Sequence, residues 1–459
     1  MPSAMNYIPP NDKERASYIE GMSGEANEYV RRDALAKRSA KYYIGNMKRH
    51  LDVKDGEPDD NVVINNYRRA VDRTLAILFP TFPRLEYAPI EEGKTKSETW
   101  IEDAWSENDG LAFLIEVAMN GCYTGQCYVK VQPPAKEGSF PRLVNIAPSN
   151  VVTYWRAEDP KTVFWHSVKW GDDRTKRLQD FIYDPGTETW RIKEYEKSGA
   201  SPWTQTGEDI EWDYKYGPII SWSHLPFPNS YYGLPEVLNY HLIDSVNLVM
   251  SENMRINRYH ASPKTVAIGI DPDEIQATSI DGLWTIAEND AQIMNLEMSA
   301  AAPQFSMGLA DRLEKSFMSE QRVVILEGGV KDFQRVTNPG IRTVFMEMIA
   351  KNSILRWNYG QAIIHISAAM SYAAGNKYGA PDIIWPDPLP RDDKELAEIA
   401  KMELVDMKIA SHATVGAKRG YNVKVEKAIE EQIGAVEGVD NSQNSGIINN
   451  MVTKQNQGA

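Results

Sequence analysis

The chain has 459 residues, of which 42% are hydrophobic and 25% charged, and its formal net charge is −14 at pH 7. This length is too great for one compact core, and the composition is typical of a folded protein, not of a disordered one. The acidic balance disfavours tight binding of nucleic acid through its phosphates, so any contact with DNA is expected to be weak.

Three features of the sequence indicate the cellular compartment in which the protein is expected. No apolar run approaches the roughly 18 residues that a membrane span needs. The beginning, MPSAMNYIPPNDKERASYIEG, lacks the basic-then-apolar pattern of a secretory signal. Cys122 and Cys127 are the only cysteines, and two thiols in a chain of this length favour a reducing compartment. We therefore expect a cytosolic product whose two thiols are buried.

The first part of the chain favours helices. The spacing of apolar residues predicts helices over residues 11–51, 62–79 and roughly 97–121. The segment DVKDGEPDDN, residues 52–61, is predicted to be a loop because it is rich in Asp, Gly and Pro. Pro80 is expected to end the second helix, since proline has no amide hydrogen to donate.

Between residues 126 and 222 the apolar period changes to two and aromatic residues become dense. The segments QCYVKVQ, NVVTYWRA, TVFWHSVKW and TWRIKEYE show this alternation, and turn sequences such as DPGT and KSGASP separate them. The pattern predicts the strands of an antiparallel sheet.

Residues 231–263 predict a helix of unusual character, with Pro235 in its first turn. Its middle turns combine the apolar residues Leu242, Ile243, Val246 and Met250 with the polar residues Asp244, Asn247, Ser251, Glu252, Asn253 and Arg255. Such a helix lacks the single polar face of an ordinary surface helix, which raises the question of what surrounds it.

The remaining elements follow in order. SPKTVAIGIDPDE predicts a strand with a turn, and a second half-polar helix covers roughly 303–324. The next segment, ILEGGVKDFQRVTNPG, cannot be a continuous helix because it contains paired glycines and a Pro-Gly. Residues 341–374 predict the longest helix, about 50 Å at 1.5 Å per residue.

The C-terminal part is predicted to contain two more helices, roughly over 392–408 and 411–434. The tail from about Gly438 is polar and aperiodic, and we expect it to be loosely held.

Motifs of enzymes and metal sites are missing from the sequence. The seven histidines have no zinc-motif spacing, and there is no G-x-S-x-G. The GKT triplet at 93–95 lacks the glycine of a phosphate-binding loop five positions earlier, where Ala88 stands. Asp271, Asp273 and Glu274 lack the spacing of a calcium loop. We therefore expect no catalytic residues, no metal and no cofactor; an enzyme with a site that no motif reveals is the remaining alternative.

The order of these elements and two local segments resemble the portal proteins of tailed double-stranded-DNA bacteriophages, particularly the siphovirus-like type. The segments are YYGLPEVLNYHLIDSVNLVMSENMRINRYHASPKTVAIG and IIWPDPLPRDDKELAEIAKMELVDMKIASHATVGAKRGY. In the family, the first has a small-x-Leu opening, an L-I-D-x-x-N core with a following Ser, and a proline that starts an insert. The second has a W/F-x-D turn followed by a helix that ends in I-x-S-x-x-T. The resemblance covers most of residues 60 to 430.

The resemblance implies an α+β chain with a mainly helical portal fold. It implies a wing with helices and an antiparallel sheet over 1–230, a stem helix over 231–260, a small α/β clip over 261–302, a second stem helix over 303–324, a tunnel loop over 325–341, a long wing helix over 342–375, and a helical crown with a flexible tail over 376–459.

The function that the resemblance implies is that of a portal, a dodecameric ring at one capsid vertex of the virion. It would form the channel for DNA packaging, retention and ejection, after assembly in the host cytoplasm. Implied partners are further copies of the chain, weakly and non-specifically bound double-stranded DNA, the large terminase, the head–tail adaptor and the major capsid protein, with a scaffold protein as a further candidate and no membrane. The alternative is another ring-forming neck or baseplate protein of a phage.

The resemblance also assigns residues to three sites by position. The tunnel-loop set, which would face DNA, is Glu327, Gly328, Gly329, Lys331, Asp332, Arg335, Asn338 and Arg342. The stem set, at the subunit interface, is Asp244, Asn247, Ser251, Glu252, Arg255, Arg258, Arg312, Lys315 and Arg322. The clip set, for the motor and adaptor, is Asp271, Asp273, Glu274, Asp281, Trp284 and Glu288.

The basic residues of the tunnel-loop set have two interpretations. Lys331, Arg335 and Arg342 could touch the DNA backbone transiently without reading bases. They could equally form salt bridges between subunits, and the sequence leaves both interpretations open.

Overall fold

The computed structural model describes residues 28–56, 58–87, 95–155, 159, 161–172, 174–199, 201, 203–261, 264–268, 292–296, 301–324, 343–388 and 401–402. Over these residues the chain is a mixture of α-helix and antiparallel β-sheet, which confirms the general α+β expectation. The chain divides into two compact units. The first comprises Met1–Leu78, Leu114–Lys130 and Asn145–Tyr359, and the second comprises Phe79–Phe113, Val131–Val144 and Gly360–Ala459.

The described helices and strands are as follows. The helices are α1 (Glu28–Tyr43), α2 (Asn66–Leu78), α3 (Lys96–Ser106), α4 (Gly110–Thr124), α5 (Tyr240–Ala261), α6 (Ala301–Glu320) and α7 (Met346–Ala373). The strands are β1 (Arg84–Glu86), β2 (Gln126–Gln132), β3 (Arg142–Asn145), β4 (Val151–Trp155), β5 (Val163–Gly171), β6 (Thr175–Asp184), β7 (Thr189–Ser198), β8 (Thr204–Gln205), β9 (Ile210–Trp212), β10 (Ile219–Ser223), β11 (Lys264–Ile268), β12 (Gln292–Leu296) and β13 (Asp382–Ile384).

The largest sheet lies in the first unit and has the strand order β4-β5-β6-β7-β8, with β9 pairing along another part of β7. Its neighbouring strands are antiparallel throughout. Val152, Tyr154, Trp165, Leu178 and Tyr195 form a buried cluster, because alternate residues of a strand point to the same face. In the same unit, β10 pairs with β2. The prediction of antiparallel strands between 126 and 222 is confirmed.

Helix α1 ends much earlier than the sequence predicts. The amide of Asn46 donates to the carbonyl of Lys41, that of Gly45 donates to Tyr42, and Gly45 has φ of 81°. This is the hydrogen-bond pattern with which a left-handed glycine closes a helix. The predicted continuation to residue 51 is therefore wrong, whereas the predicted beginning lies outside the described residues.

Helix α5 begins at Tyr240, so the prediction that Pro235 lies in its first turn is wrong. Leu225 and Leu234 exchange backbone hydrogen bonds, and the amide of Glu236 donates to the carbonyl of Cys122. These tertiary bonds use the backbone groups that a longer helix would need, so the segment before Tyr240 is irregular.

The two half-polar helices are neighbours in space. Helix α6 packs against α5, and between them in sequence lie β11 and β12, which pair antiparallel with Lys264 opposite Leu296. The strand predicted after α5 is thereby confirmed, as is the helix predicted to start near residue 303. The structure thus contains a helix, a two-stranded ribbon and a second helix in that order.

The second unit contains α3, β1 and β13. Thr95 caps α3, and Glu98 completes the capping box. The indole of Trp105 donates to Ser367 Oγ at 3.0 Å and packs against Phe82. The pairing of Arg84 with Ile384 joins β1 to β13 in an antiparallel ribbon.

Two predicted helices differ in length from those observed. The helix predicted over 97–121 is two helices, α3 and α4, because Asp109 and Gly110 have φ of 59° and 40° and interrupt it. Helix α7 has 28 residues, about 42 Å, and is shorter than the predicted 50 Å. The helices predicted over 392–408 and 411–434 and the tail lie almost wholly outside the described residues.

Candidate functional site: the paired helices and their buried anchor

Two predicted stem residues of α5 hold a neighbouring segment of their own chain. Asn247 Oδ1 accepts a hydrogen bond from the amide of Ile64 at 2.8 Å, and Ser251 Oγ accepts one from the amide of Val62 at 2.9 Å. Asn247 is 1% exposed and Ser251 is not exposed at all. A side chain buried completely within one chain has no surface left for a neighbouring chain. This placement favours a role for both residues inside the subunit.

The basic residues at the end of α5 hold the same segment. Arg258 Nη2 lies 2.6 Å from Asp60 Oδ2, and Arg255 Nε lies 3.7 Å from the same atom. Arg255 also donates to the carbonyl of Asp52 at 3.0 Å. Because Asp60 is 5% exposed, its carboxylate depends on these two cations for its partners.

The other two predicted stem residues of α5, Asp244 and Glu252, differ in their surroundings. Asp244 accepts a hydrogen bond from the Tyr42 hydroxyl at 2.8 Å, and burial together with this bond raises the pKa of Tyr42. Glu252 is exposed. Most of the polar side chains of α5 therefore bind residues 42–64 of the same chain. These contacts explain why the helix has polar residues among its apolar ones.

The predicted stem residues of α6 are on the surface. Arg312, Lys315 and Arg322 are exposed, and Arg322 has φ of 54° just beyond the helix end. Lys315 and Arg322 share a shallow cleft of about 250 Å³ with Val344 and Glu347. These side chains lie at the surface, whereas Asn247 and Ser251 are buried.

Large apolar side chains are exposed on α6 and near the start of α7. On α6, Phe305 is 75% and Leu309 39% exposed, and their spacing of four residues places them on one helix face. On α7, Ile354 is 41% and Trp357 71% exposed. Apolar surface of this kind usually marks a site of protein–protein contact.

A buried ion pair connects α7 to the segment before α5. Lys351 Nζ pairs with Glu236 Oε1, and it donates to the carbonyl of Gln321 at 2.9 Å. Thr74 of α2 donates to the same carboxylate oxygen at 2.7 Å. Lys351, Glu236, Thr74 and Gln321 are all buried. Together they fix three helices and the irregular segment before α5.

The network continues on the other carboxylate oxygen. His224 Nε2 lies 3.2 Å from Glu236 Oε2, and His224 Nδ1 lies 2.8 Å from the Tyr359 hydroxyl. Cys127 Sγ is 3.4 Å from the same hydroxyl. A neutral imidazole that donates to the carboxylate and accepts from the phenol satisfies both contacts.

The protonation states follow from burial and charge. Burial opposes the ionisation of Glu236, but the charge of Lys351 and the hydrogen bonds from His224 and Lys351 outweigh it and lower the pKa to about 2. Burial lowers the pKa of His224 and raises that of Cys127 to about 12. Near neutral pH the network therefore holds an ionised carboxylate, a neutral imidazole and a protonated thiol. Its burial favours a role in fixing the fold.

No pattern in the sequence indicates this network. Glu236 and Lys351 are 115 residues apart, and Thr74 and Glu236 are 162 apart, so no local motif brings them together. The expectation that Cys122 and Cys127 are buried thiols is confirmed.

The other two predicted sites cannot be located. The tunnel-loop residues from Glu327 to Arg342 and the clip residues from Asp271 to Glu288 lie outside the described residues. Over the part of the chain that the structure describes, no group of three or more His, Cys, Asp or Glu side chains could hold a metal ion. No helix among the described residues is long and apolar enough to cross a membrane. Neither a protein-family model nor a curated protein matches the chain.

Proposed function

We propose that the chain is the subunit of a portal ring of a tailed bacteriophage, through which DNA is packaged, retained and ejected. The observation that carries the proposal is the succession of α5, the β11–β12 ribbon and α6, with α5 and α6 packed together. This is the order in which the resemblance to portal proteins implies a stem helix, a clip and a second stem helix. The long helix α7 then follows at the position of the long wing helix.

The exposed apolar side chains support a ring of identical subunits. Phe305 and Leu309 lie on the proposed second stem helix, where neighbouring copies would meet. Contact with a second copy would remove these side chains from water. This burial stabilises the contact by about 25 cal/mol per Å² of apolar surface. A closed ring satisfies such a surface on every subunit, because each copy contacts its neighbours through the same two patches.

The charge of the chain suits a conduit for DNA. Each copy carries −14, so a ring of copies repels phosphates at short range, and salt screens this repulsion beyond about 10 Å. Because the ring does not hold DNA tightly, DNA can slide through it. In this proposal the terminase and the head–tail adaptor dock on the clip, and the ring occupies one vertex of the virion.

Native mass spectrometry of the purified protein tests the proposal. We expect one large closed oligomer, close to twelve times the chain mass of 51.9 kDa. A stable monomer at micromolar concentration, at every salt concentration tried, would contradict it.

A further inference from the structure

A glycine lies in the middle of helix α6, on its exposed side. This residue, Gly308, is eight positions from the helix start, and among the residues that the structure describes no atom outside its own helix backbone would lie within 4 Å of a Cβ there. A glycine inside a helix destabilises it relative to alanine, because glycine loses more conformational freedom on folding. Nothing within the described subunit requires a glycine at this position, so its reason is to be sought outside the subunit.

Gly308 forms a gap between two larger side chains. Phe305 precedes it by three residues and Arg312 follows it by four, so all three are neighbours on one helix surface. Phe305 and Arg312 are both exposed, and Leu309 extends the same face. We call this face, from Phe305 to Arg312, the α6 stripe. Its gap has an apolar wall and a cationic wall, which suits a flat aromatic ring that packs against the one and receives the other on its face.

Helix α7 presents a ring of this kind at its own surface. Met346, Ala350, Ile354 and Trp357 are exposed and recur at three- or four-residue steps, which places them on one face, the α7 stripe. Trp357 is the most exposed of them, and within the described part of the chain its indole contacts no other ring. An exposed tryptophan on an apolar helix face is typical of the centre of a protein–protein contact.

The charges beside the two stripes are opposite. Arg312 belongs to the α6 stripe, and Glu347 lies next to Met346 at the edge of the α7 stripe. Both are exposed, and over the residues that the structure describes neither has an ion-pair or hydrogen-bond partner for its side chain. Contact between the two stripes therefore joins complementary surfaces.

The two stripes do not cover each other within one chain, since Phe305 and Trp357 both remain exposed. Each chain carries one stripe of each kind. A head-to-tail contact, in which the α7 stripe of one copy meets the α6 stripe of the next, therefore covers both and can close into a ring. A contact between two α6 stripes would leave the α7 stripe exposed.

We propose that Trp357 of one copy lies over Gly308 of the next copy, between Phe305 and Arg312. The missing side chain at Gly308 gives the indole room to reach the helix backbone, where it contacts the Phe305 ring and the Arg312 guanidinium. The α7 stripe of every subunit then covers the α6 stripe of its neighbour. This inference rests on the proposed ring and names the two surfaces that meet in it.

Mixing two variants of the full chain tests the head-to-tail contact by native mass spectrometry. Phe305→Asp with Leu309→Asp spoils only the α6 stripe, and Ile354→Asp with Trp357→Asp spoils only the α7 stripe. We expect each variant alone to be a folded monomer, and the mixture to form a dimer with one copy of each, because one intact contact remains. Ile44→Asp with Ile210→Asp, at exposed apolar positions outside both stripes, is the control and should form rings.

The outcomes separate this contact from the ring itself. Rings from either stripe variant alone, dimers of the α6 variant with itself, or a mixture without mixed dimers would overturn the contact while the natural chain still forms rings. A natural chain that is monomeric at every salt concentration tried would overturn the contact together with the proposed function.

Filling the gap tests the position of the indole. Gly308→Leu should raise the concentration needed for assembly at least about tenfold, the effect of losing an aromatic anchor at the centre of an interface. The chain should stay folded, since leucine favours a helix more than glycine does. Adding Trp357→Ala should recover part of the assembly, because the leucine then has room. Unchanged assembly of Gly308→Leu, or no recovery in the double variant, would overturn the placement of Trp357 over Gly308.

Discussion

At Lys351 a charged side chain is buried against Glu236, and each supplies the opposite charge that the other needs. Replacing Lys351 alone by Met should leave an uncompensated carboxylate in the interior and destabilise the fold by about 3–5 kcal/mol. Replacing both, with Glu236→Gln added, should recover much of this loss. Urea unfolding measures the difference. Arg177→Met, which breaks the exposed pair with Glu196, is the control and should have little effect.

A loss below 1 kcal/mol for Lys351→Met would contradict the anchor. It would mean that water reaches the Glu236 carboxylate when its cation is removed.

His166 makes the stability depend on pH. It is buried on the large sheet and hydrogen-bonded to Thr153, and burial lowers its pKa from 6.5 to about 3. The folded state keeps the imidazole neutral while the unfolded chain takes up a proton below pH 6.5. Its contribution is therefore present above pH 6.5 and lost as the pH falls toward 3. Between pH 7 and pH 5 this loss is about 2 kcal/mol.

His166→Asn, which can keep the contact made by Nδ1, should show a smaller decrease in unfolding free energy over that pH range. Unfolding by urea at pH 7, 6 and 5 measures it. Identical pH dependence in the variant and the natural chain would show that the ring is accessible to solvent or protonated in the fold.

At the scale of elements, the polar side of α5 acts as a clamp on residues 60–64. Asn247→Ala with Ser251→Ala should leave the partly buried amides of Ile64 and Val62 without their acceptors, at a cost of about 1 kcal/mol each. Hydrogen exchange should then show faster exchange at these two amides. Glu252→Ala, an exposed change on the same helix, should leave it unchanged. Unaltered protection in the double variant would contradict the clamp.

Helix α6 gives a test of the proposed interface. Phe305→Asp with Leu309→Asp places charge on the exposed apolar face and should abolish large oligomers while the chain stays folded, because neither side chain belongs to the core. Light scattering measures the oligomer and circular dichroism the fold. Ile210→Asp, at an exposed apolar position of β9, is the control and should assemble normally. Normal assembly of the α6 variant would place the interface elsewhere.

Sequence periodicity predicted most helices and strands correctly. It misplaced helix ends at which hydrogen bonds to residues distant in sequence set the boundary. The alternation between 126 and 222 predicted antiparallel strands because pleated strands expose every second side chain to the core. Periodicity alone missed that Asp109 and Gly110 interrupt a helix, although an Asp-Gly pair is a turn signal that tolerates positive φ. The start of α5 was missed because Glu236 donates its amide to Cys122, far away in sequence.

For the candidate site, the sequence indicated unusual polar positions on α5 but not the contacts that they make. Six polar positions of α5 were recognisable from the sequence as unusual for a surface helix. Whether a polar side chain faces a second chain or an extended segment of its own cannot be read from spacing on one helix. Asn247 and Ser251 therefore moved from an expected subunit contact to an observed contact with residues 62–64.

At the scale of the whole molecule, the proposal depends on assembly. In the proposed portal ring, each subunit would present its exposed apolar surfaces to identical neighbours, and the net charge of −14 per chain would disfavour tight binding of DNA. A neck or baseplate protein could also form a ring, but without paired stem helices around an axial channel.

Electron microscopy of the purified full-length protein is the most direct test of this ring. Class averages viewed along the axis should show a closed ring of about twelve subunits with a central hole. Side views should show a narrow stem, formed by α5 and α6, below a broader wing. Single chains, open filaments, or rings without an axial hole and stem would contradict the proposed portal function.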